Sequence, residues 1–187
     1  MSVQLLRRLF TVDQYYKMLE AGIFNENERV ELIRGEIIEM SPIGIRHSAC
    51  VKRLNELFFL RLGKAVTLGI QDPVRLNNTS EPQPDVSLLQ RRPDFYETQH
   101  PQPENVFLLI EVSDTTVKYD QEVKIPLYAE NNIVEVWLVN LTEKCLEVYR
   151  QPTANGYEIV QTFQKGETVT IQALSNVTFT VDEILGD

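Results

Sequence analysis

The amino-acid sequence predicts an α/β (α+β) fold, in which helices flank a mixed β-sheet and the C-terminal third is rich in strands. The apolar run at residues 107–112 is typical of a central strand that is covered on both faces, and residues 134–140 predict another strong strand. Apolar residues recur at helical spacing over residues 48–62. Short apolar segments separated by turn residues follow residue 145. The 187 residues suit one domain with a full core, and we expect residues 1–187 to form it.

The first part of the chain is predicted to hold two helices, a hairpin and two strands. Thr11 and Gln14 form a capping box, which favours a helix directly after Thr11. The pair Arg34-Gly35 lies at the centre of an alternating segment, as expected for the turn of a hairpin. The predicted elements are a helix over 12–20, a hairpin over 29–40, a helix over 48–62, and strands over 65–70 and 74–76.

The second part begins with a long loop and continues as strands around one helical segment. Pro126 interrupts that segment, so we expect a kink, or a helix that begins near Asp120 with the proline in its early turns. Tyr128 and Trp137 lie among apolar neighbours and are expected in the core. The predicted elements are a loop over 91–104, a strand over 107–112, the helical segment over 114–132, strands over 134–140, 146–149, 157–163, 168–171 and 177–180, and a helical turn over 181–185.

Composition limits the function classes. The net charge of −9 argues against a protein whose whole surface binds nucleic acid by neutralising phosphates, although a local groove on an acidic body remains compatible with a nuclease. No apolar run approaches the roughly 20 residues that span a bilayer, and we expect no secretion signal in the N-terminal residues, whose apolar stretch is broken. Cys50 and Cys145 lack partners at metal-binding spacing and are expected as buried thiols. We therefore expect a cytoplasmic protein without a membrane partner.

Two acids within apolar runs carry the functional argument. Asp85 opens the run PDVSLL, and Glu111 lies inside FLLIEV. A carboxylate in a buried strand is costly unless a cation, a hydrogen bond or a proton neutralises it. Lys124 follows a little further along the chain. Two acids around a divalent metal, with a lysine beside them, can hydrolyse a phosphodiester, because the metal activates water and the amine stabilises developing charge.

Each candidate also has a purely structural interpretation. Asp85 follows a proline at the start of a strand, where an acid commonly caps a turn. Asp120 is expected as a helix N-cap, and Lys124 can be a solvated helix residue or half of an inert ion pair. His47 alone is more often a packed or surface residue. Glu31 lies in the predicted hairpin, where a solvated or cross-strand charge is expected.

The order of these motifs resembles a known family. Pro84-Asp85 followed by Glu111 in an apolar strand resembles the PD-(D/E)xK nuclease superfamily. A longer series of motifs, from about residue 11 to residue 149, resembles the Uma-two family, which is classed with the restriction endonucleases. The matching residues are, in order, Glu31-Leu32-Ile33, Gly35-Glu36, Met40-Ser41-Pro42, His47, Pro84-Asp85-Val86, Glu111-Val112-Ser113, Asp120, Lys124, Tyr128 and Val136-Trp137-Leu138-Val139.

The resemblance implies a restriction-endonuclease-like core and cleavage of DNA that depends on Mg²⁺ or Mn²⁺. It implies that Asp85 and Glu111 are metal ligands and that the carbonyl of Val112 is a third. The last position of the D/ExK triplet is Ser113 instead of lysine, so the amine is expected from the following helix, where Lys124 is the candidate.

Two further residues take roles from the same resemblance. Glu31 is expected as an additional acid near the metal, and His47 as a base or a phosphate contact. Cutting both strands with one site per chain favours a homodimer. Ser113 and the acidic charge also favour an alternative, a catalytically degenerate nuclease fold that serves as a binding or assembly module. A third reading is a metal hydrolase that acts on small phosphoesters.

Overall fold

The computed structural model describes residues 6–25 and 28–186. The helices of this part of the chain are α1 (Val12–Glu20), α2 (Ile45–Leu62), α3 (Val117–Tyr119), α4 (Ile125–Glu130) and α5 (Val181–Leu185), with a π-helical segment at Asp120–Lys124 and 3₁₀ turns at Gly63–Ala65 and Pro103–Asn105. The strands are β1 (Val30–Ile33), β2 (Glu36–Glu39), β3 (Val66–Ile70), β4 (Val86–Gln90), β5 (Val106–Ser113), β6 (Glu135–Asn140), β7 (Cys145–Thr153), β8 (Gly156–Phe163), β9 (Thr168–Ile171) and β10 (Leu174–Thr180).

A six-stranded mixed sheet forms the centre of the fold, as the sequence predicts. Its strand order is β3-β4-β5-β6-β7-β8, and β1–β2 and β9–β10 form separate two-stranded sheets. Neighbouring strands of the large sheet are antiparallel except β5 and β6, which are parallel. A parallel pair needs a crossover connection, and the helical segment 117–130 supplies it.

The two faces of the sheet are covered by different elements. Helices α2 and α5 and the β9–β10 hairpin pack on one face, and α4 packs on the other. Side chains alternate along β5, so Leu108, Ile110 and Val112 pack on the α2 side, whereas Leu109 packs on the α4 side. Glu111 shares the α4 side with Leu109. The crossover helix therefore lies over the acid that the sequence marks as unusual.

Several local predictions are confirmed. The capping box at the start of α1 makes both of its hydrogen bonds, between Thr11 and Gln14. The β1–β2 hairpin turns at Arg34 and Gly35, which have φ of 48° and 79°. Two left-handed residues in succession suit the twist of a tight hairpin.

The strand predicted over residues 74–76 is wrong. Val74 and Leu76 are buried, but they make isolated backbone hydrogen bonds, from Val74 N to the Pro82 carbonyl and from Leu76 N to the Ser80 carbonyl. Pro82 and Pro84 on the facing segment have no N–H group, so a continuous ladder cannot form there.

The helix before β6 differs from its prediction in its start and in its hydrogen bonding. It begins at Val117, and Asp120 lies inside it, with its N–H donating to the Thr116 carbonyl at 3.0 Å. Asp120 is therefore not an N-cap. The N–H of Ile125 bonds to the Asp120 carbonyl, five residues earlier, which is the π-helical pattern. This wider turn precedes Pro126, whose missing N–H would break a regular α-helical ladder.

Both cysteines are buried free thiols, as expected for Cys50 and Cys145. Among residues 6–25 and 28–186, no helix has the length and apolar character needed to cross a membrane. The assignment of residues 1–187 to one domain stays a prediction.

Candidate active site

The structure brings the predicted site residues together in one cleft of about 520 Å³. They come from five different parts of the fold, so the cleft depends on tertiary structure. The predicted residues that line it are Glu31 from β1, His47 from α2, Asp85 before β4, Glu111 and Val112 from β5, and Lys124 from the π-helical segment.

Lys124 places an ammonium group between two buried acids. Its Nζ lies 3.2 Å from Oε1 of Glu111 and 3.4 Å from Oε2 of Glu31. Its side chain is 6% exposed, so it does not point into bulk water. Burial alone would lower the pKa of Lys124, but the charges of Glu111 and Glu31 outweigh burial and raise it. The lysine is therefore a fixed cation at neutral pH.

Glu111 is held from one side only. The hydroxyl of Tyr128 donates to Oε1, the same oxygen that faces Lys124. Tyr128 is a core residue, as predicted, but its hydroxyl also serves the site. Burial raises the pKa of Glu111 well above its ordinary value, and the charge of Lys124 opposes only part of that effect. Within the described residues, Oε2 of Glu111 accepts no hydrogen bond, so this oxygen is available to a ligand.

Asp85 reaches across the end of the β4–β5 ladder. The last pair of that ladder is Val86 with Ile110, so the N–H of Val112 is not used by β4. That N–H instead donates to Oδ2 of Asp85 at 2.9 Å. The acid before β4 is thereby fixed beside the acid inside β5.

His47 and Gln71 hold the two oxygens of Asp85. His47 Nε2 lies 2.9 Å from Oδ2, and Gln71 Nε2 donates to Oδ1 at 3.1 Å. Burial would raise the pKa of Asp85, but the contact with His47 and the hydrogen bond from Val112 lower it below its ordinary value. The same contact raises the pKa of His47. Asp85 is thus an ionised acceptor in this cleft.

Gln71 is a site residue that the sequence argument missed. Its φ of 57° lies in the left-handed region, which is unfavourable for a residue with a side chain. In this conformation its N–H donates to the Asp85 carbonyl at 3.1 Å, while its amide reaches the Asp85 carboxylate. A glutamine in a turn gives no signal in the sequence, because its role depends on contacts with a distant segment.

Glu31 differs from its structural interpretation as a solvated charge. It is 2% exposed, since every residue of β1 is buried and the alternation expected of a half-exposed hairpin does not apply. Its Oε2 accepts from the N–H of Gln83 at 3.0 Å, and the hydroxyl of Tyr119 lies 3.4 Å from Oε1. Glu31 therefore belongs to the buried charge cluster.

Asp120 is also part of the cleft wall and not a helix cap. The hydroxyls of Ser113 and Thr116 both donate to its Oδ2. Burial raises the pKa of Asp120, although Lys124 and the two hydroxyls act against it. Ser113 stands at the position that the triplet gives to lysine, and its hydroxyl is bound to the buried Asp120. The lysine that lines the cleft is Lys124.

The donor set suits a hard divalent cation. Oε2 of Glu111 is open, and Oδ1 of Asp85 accepts one bond although it has two lone pairs. Within the described ranges, no group of three His, Cys, Asp or Glu residues is arranged to bind a metal. Mg²⁺ needs no such cage, because it binds through one or two carboxylates and keeps several waters. Asp85 and Glu111 supply that minimum, with Val112 adjacent.

The fold places the chain in the class of restriction-endonuclease-like α/β proteins. The sequence model of the Uma2 family, described as "Putative restriction endonuclease", matches residues 12–182. The chain belongs to this family, which confirms the resemblance seen in the sequence.

A solved structure supports the same fold. It is a crystal structure described as a "putative nuclease belonging to DUF820" from Anabaena variabilis, 16% identical to this chain. The similarity covers 94% of this chain and 97% of that one, with a TM-score of 0.71. A search of curated proteins gave no match.

Proposed function

We propose that the protein is an endonuclease that hydrolyses DNA phosphodiester bonds with Mg²⁺ or Mn²⁺. The observation that carries this proposal is the buried ammonium of Lys124, 3.2 Å from Glu111, in a cleft shared with Asp85. Two carboxylates and a lysine in one cleft suit metal-assisted phosphodiester hydrolysis, because the carboxylates can bind the ion and the amine can stabilise developing charge. Membership of the Uma2 family supports a nucleic-acid substrate.

Asp85, Glu111 and the carbonyl of Val112 would hold the ion. When bound, the ion supplies Lewis-acid polarisation of the phosphate and lowers the pKa of a water. The hydrogen bonds from Tyr128 to Glu111 and from Val112 to Asp85 support this assignment, because they limit the movement of both carboxylates.

The remaining residues act on substrate charge. Lys124, kept protonated by Glu31 and Glu111, stabilises the negative charge that develops on the phosphate. His47 contacts Asp85 through Nε2, and its buried Nδ1 has no hydrogen-bond partner among the described residues. The role of His47 as a base or a phosphate contact stays a prediction, and its contact with Asp85 raises its pKa.

The test compares three purified variants on plasmid DNA with Mg²⁺ or Mn²⁺. Asp85→Ala and Glu111→Ala should abolish cleavage while circular dichroism shows an intact fold. Glu39→Ala is the matched control, because Glu39 lines the same cleft but is exposed, and this variant should cut normally. Full activity of either Asp85→Ala or Glu111→Ala ends the proposal. Short phosphodiesters in the same assay separate a DNA enzyme from a small-phosphoester hydrolase.

A second candidate is a degenerate nuclease fold that binds without cutting. It is favoured by Ser113 at the lysine position of the triplet and by the net charge of −9. Such a module would show no cleavage with any divalent ion, and its binding would survive a chelator.

We also propose that the active form is a homodimer, because cutting both strands with one site per chain needs two chains. Light scattering of the protein with and without duplex DNA measures the mass directly. A monomer that makes double-strand breaks would contradict this proposal.

A further inference from the structure

A second cavity, of about 360 Å³, has a lining separate from that of the active-site cleft. Its size lies within the range of small-molecule sites, about 300–1,000 Å³. Its walls come from α1, from the segment around Arg75 and Glu81, and from the loop before β5. Its lining includes Tyr16, Arg75, Glu81, Tyr96 and His100.

Glu81 gives this cavity an unmet hydrogen-bond acceptor. The residue is 2% exposed, and its Oε1 accepts from the Tyr16 hydroxyl at 2.6 Å. Its Oε2 is buried and accepts no hydrogen bond within the described part of the chain. A buried acceptor without a donor costs about 1–3 kcal/mol. A donor on a ligand removes that cost, so the site favours ligands that carry an N–H group.

Flat aromatic surfaces surround this acceptor. The rings of Tyr16 and His100 are nearly parallel, at 24°, with centroids 6.2 Å apart. Tyr96 adds a third ring, and the hydroxyl of Tyr96 is fixed by the Gln90 carbonyl at 2.6 Å. Tyr96 and its neighbour Phe95 have φ of 64° and 48°, and strained backbone of this kind often occurs at ligand sites. Planar, ring-containing ligands fit such walls.

The charges around the cavity select among these ligands. Arg75 lines the cavity, and its guanidinium pairs at 3.3 Å with Asp13, whose side chain is 73% exposed. Arg92 lies over the Tyr96 ring, 4.8 Å from its centroid. Arg92 is paired with Asp94, so Arg75 is the guanidinium of the lining that can meet an anionic end of a ligand. An exposed ion pair such as Arg75 with Asp13 is weak, so a phosphate can compete for the arginine.

We propose that this cavity binds a nucleotide whose base carries an exocyclic amine, in the class of cytosine and adenine. Glu81 accepts from the amine, as carboxylates do from cytosine N4, and the Tyr16 and His100 rings pack against the base. Arg75 binds the phosphate. The nucleotide is free or belongs to a single strand, and the site does not depend on cleavage in the other cleft.

Cytidine and uridine monophosphates test this directly, because they share the ribose and the phosphate. Their bases differ at positions 3 and 4, where cytosine has an acceptor nitrogen and the amine, and uracil has an N–H group and a carbonyl. Titration calorimetry of the full chain in a chelator should give a Kd below about 1 mM for the cytidine nucleotide and at least about tenfold weaker binding of the uridine nucleotide. The same titration with single-stranded oligo(dC) and oligo(dT) identifies the source. If the mononucleotides also show the preference for cytosine, the ligand is a free nucleotide. If only the oligonucleotides show it, the ligand is part of a single strand. Equal binding or no binding in both pairs overturns the proposal.

Variants assign the preference to the residue. Glu81→Gln should remove the cytosine preference, because an amide can also donate to the uracil carbonyl. Glu97→Gln changes an exposed acid of the same cavity and should keep the preference. If Glu81→Gln does not fold, His100→Ala offers a second test, because His100 lies on the loop. This variant should bind both nucleotides more weakly than the wild type does. An unchanged preference in a folded Glu81→Gln variant contradicts the proposal.

Discussion

Lys124 is almost fully removed from water, yet acids surround its ammonium group. Glu111 and Glu31 lie within ion-pair distance, and the charges of Asp120 and Asp85 also act on it. The acids that line the cleft outnumber its basic residues, so the cleft has an excess of acidic groups. We expect this excess to favour a divalent ion, and the lysine to contribute to chemistry as well as to folding.

Substituting this lysine separates the two contributions. Lys124→Met keeps the aliphatic stem and removes the charge, and we expect DNA cleavage to fall by about 10²–10³-fold. Lys118→Met, on the same helical segment but with a side chain 85% exposed, is the control and should cut normally. Cleavage rates at saturating Mg²⁺ give the result. Wild-type rates for Lys124→Met would remove the amine from the mechanism.

Asp120 gives the metal-free protein a pH dependence of stability. Burial raises its pKa, so the folded state binds this proton more tightly than the unfolded state. The stabilisation is complete below the unfolded pKa of about 4 and is lost as pH rises through the folded value. Asp120→Asn cannot ionise, so its free energy of unfolding should improve relative to wild type as pH rises from about 4.

Urea unfolding at a series of pH values, in a chelator, measures this difference. Asp13→Asn changes an exposed acid and is the control. A difference between Asp120→Asn and wild type that stays constant with pH would show that the Asp120 carboxyl is not perturbed by its site.

Gln71 offers a test of how Asp85 is positioned. In Gln71→Gly, the glycine adopts the left-handed backbone conformation more easily than glutamine does. The variant loses the side-chain amide that donates to Oδ1 of Asp85. We expect Mn²⁺ affinity to fall by about tenfold or more, because outer-shell contacts orient ligands, while the fold is retained. Lys144→Gly, at another left-handed position with φ of 53°, should leave metal binding unchanged. Calorimetry with Mn²⁺ compares the two, and equal affinities would contradict the positioning role.

At the residue scale, the sequence predicts side chains that break a pattern. Glu111 interrupts an apolar strand, so its unusual position is visible without coordinates. Glu31 and Gln71 break no pattern, because a charged residue in a hairpin and a glutamine in a turn are ordinary. Their roles come from tertiary contacts, with Lys124 for Glu31 and with Asp85 for Gln71.

At the element scale, the crossover between β5 and β6 decides where the amine lies. The parallel pair requires a helical connection over one face, and the π-helical turn fixes which residues of that connection face β5. Pro126 predicts an irregularity but not its type. The sequence therefore indicates that Lys124 is close to Glu111 in the chain. The direction of the Lys124 side chain depends on the π-helical hydrogen bonding, which the sequence does not specify.

Glu135 joins the small β9–β10 sheet to the large one. It is fully buried and accepts hydrogen bonds from Trp137, Arg150 and the N–H of Gln172. Glu135→Ala would leave Arg150 without its carboxylate, and we expect a loss of about 3 kcal/mol in the free energy of unfolding.

Chemical denaturation measures this loss. Glu143→Ala, at an exposed position after β6, is the control and should change stability by less than about 0.5 kcal/mol. If Glu135→Ala changed the free energy of unfolding as little as this control does, apolar contacts alone would hold the β9–β10 hairpin.

At the scale of the whole molecule, we expect a net charge of −9 and a cleft rich in acids to weaken phosphate binding by the metal-free protein. A divalent ion held by Asp85 and Glu111 would offset this negative charge and favour the approach of a phosphate. The mixed sheet with flanking helices follows from apolar runs and helical spacing in the sequence. The strand order, with β3 at one edge and β8 at the other, does not, because pairing between distant segments depends on long-range packing.

The central claim is that Asp85, Glu111 and Lys124 surround one metal ion. Anomalous diffraction from crystals soaked in Mn²⁺ tests it most directly. We predict one peak bound by carboxylate oxygens of Asp85 and Glu111, with the Lys124 amine facing the same space. A soaked crystal with no peak between these two acids, from protein that cleaves DNA, would contradict the claim.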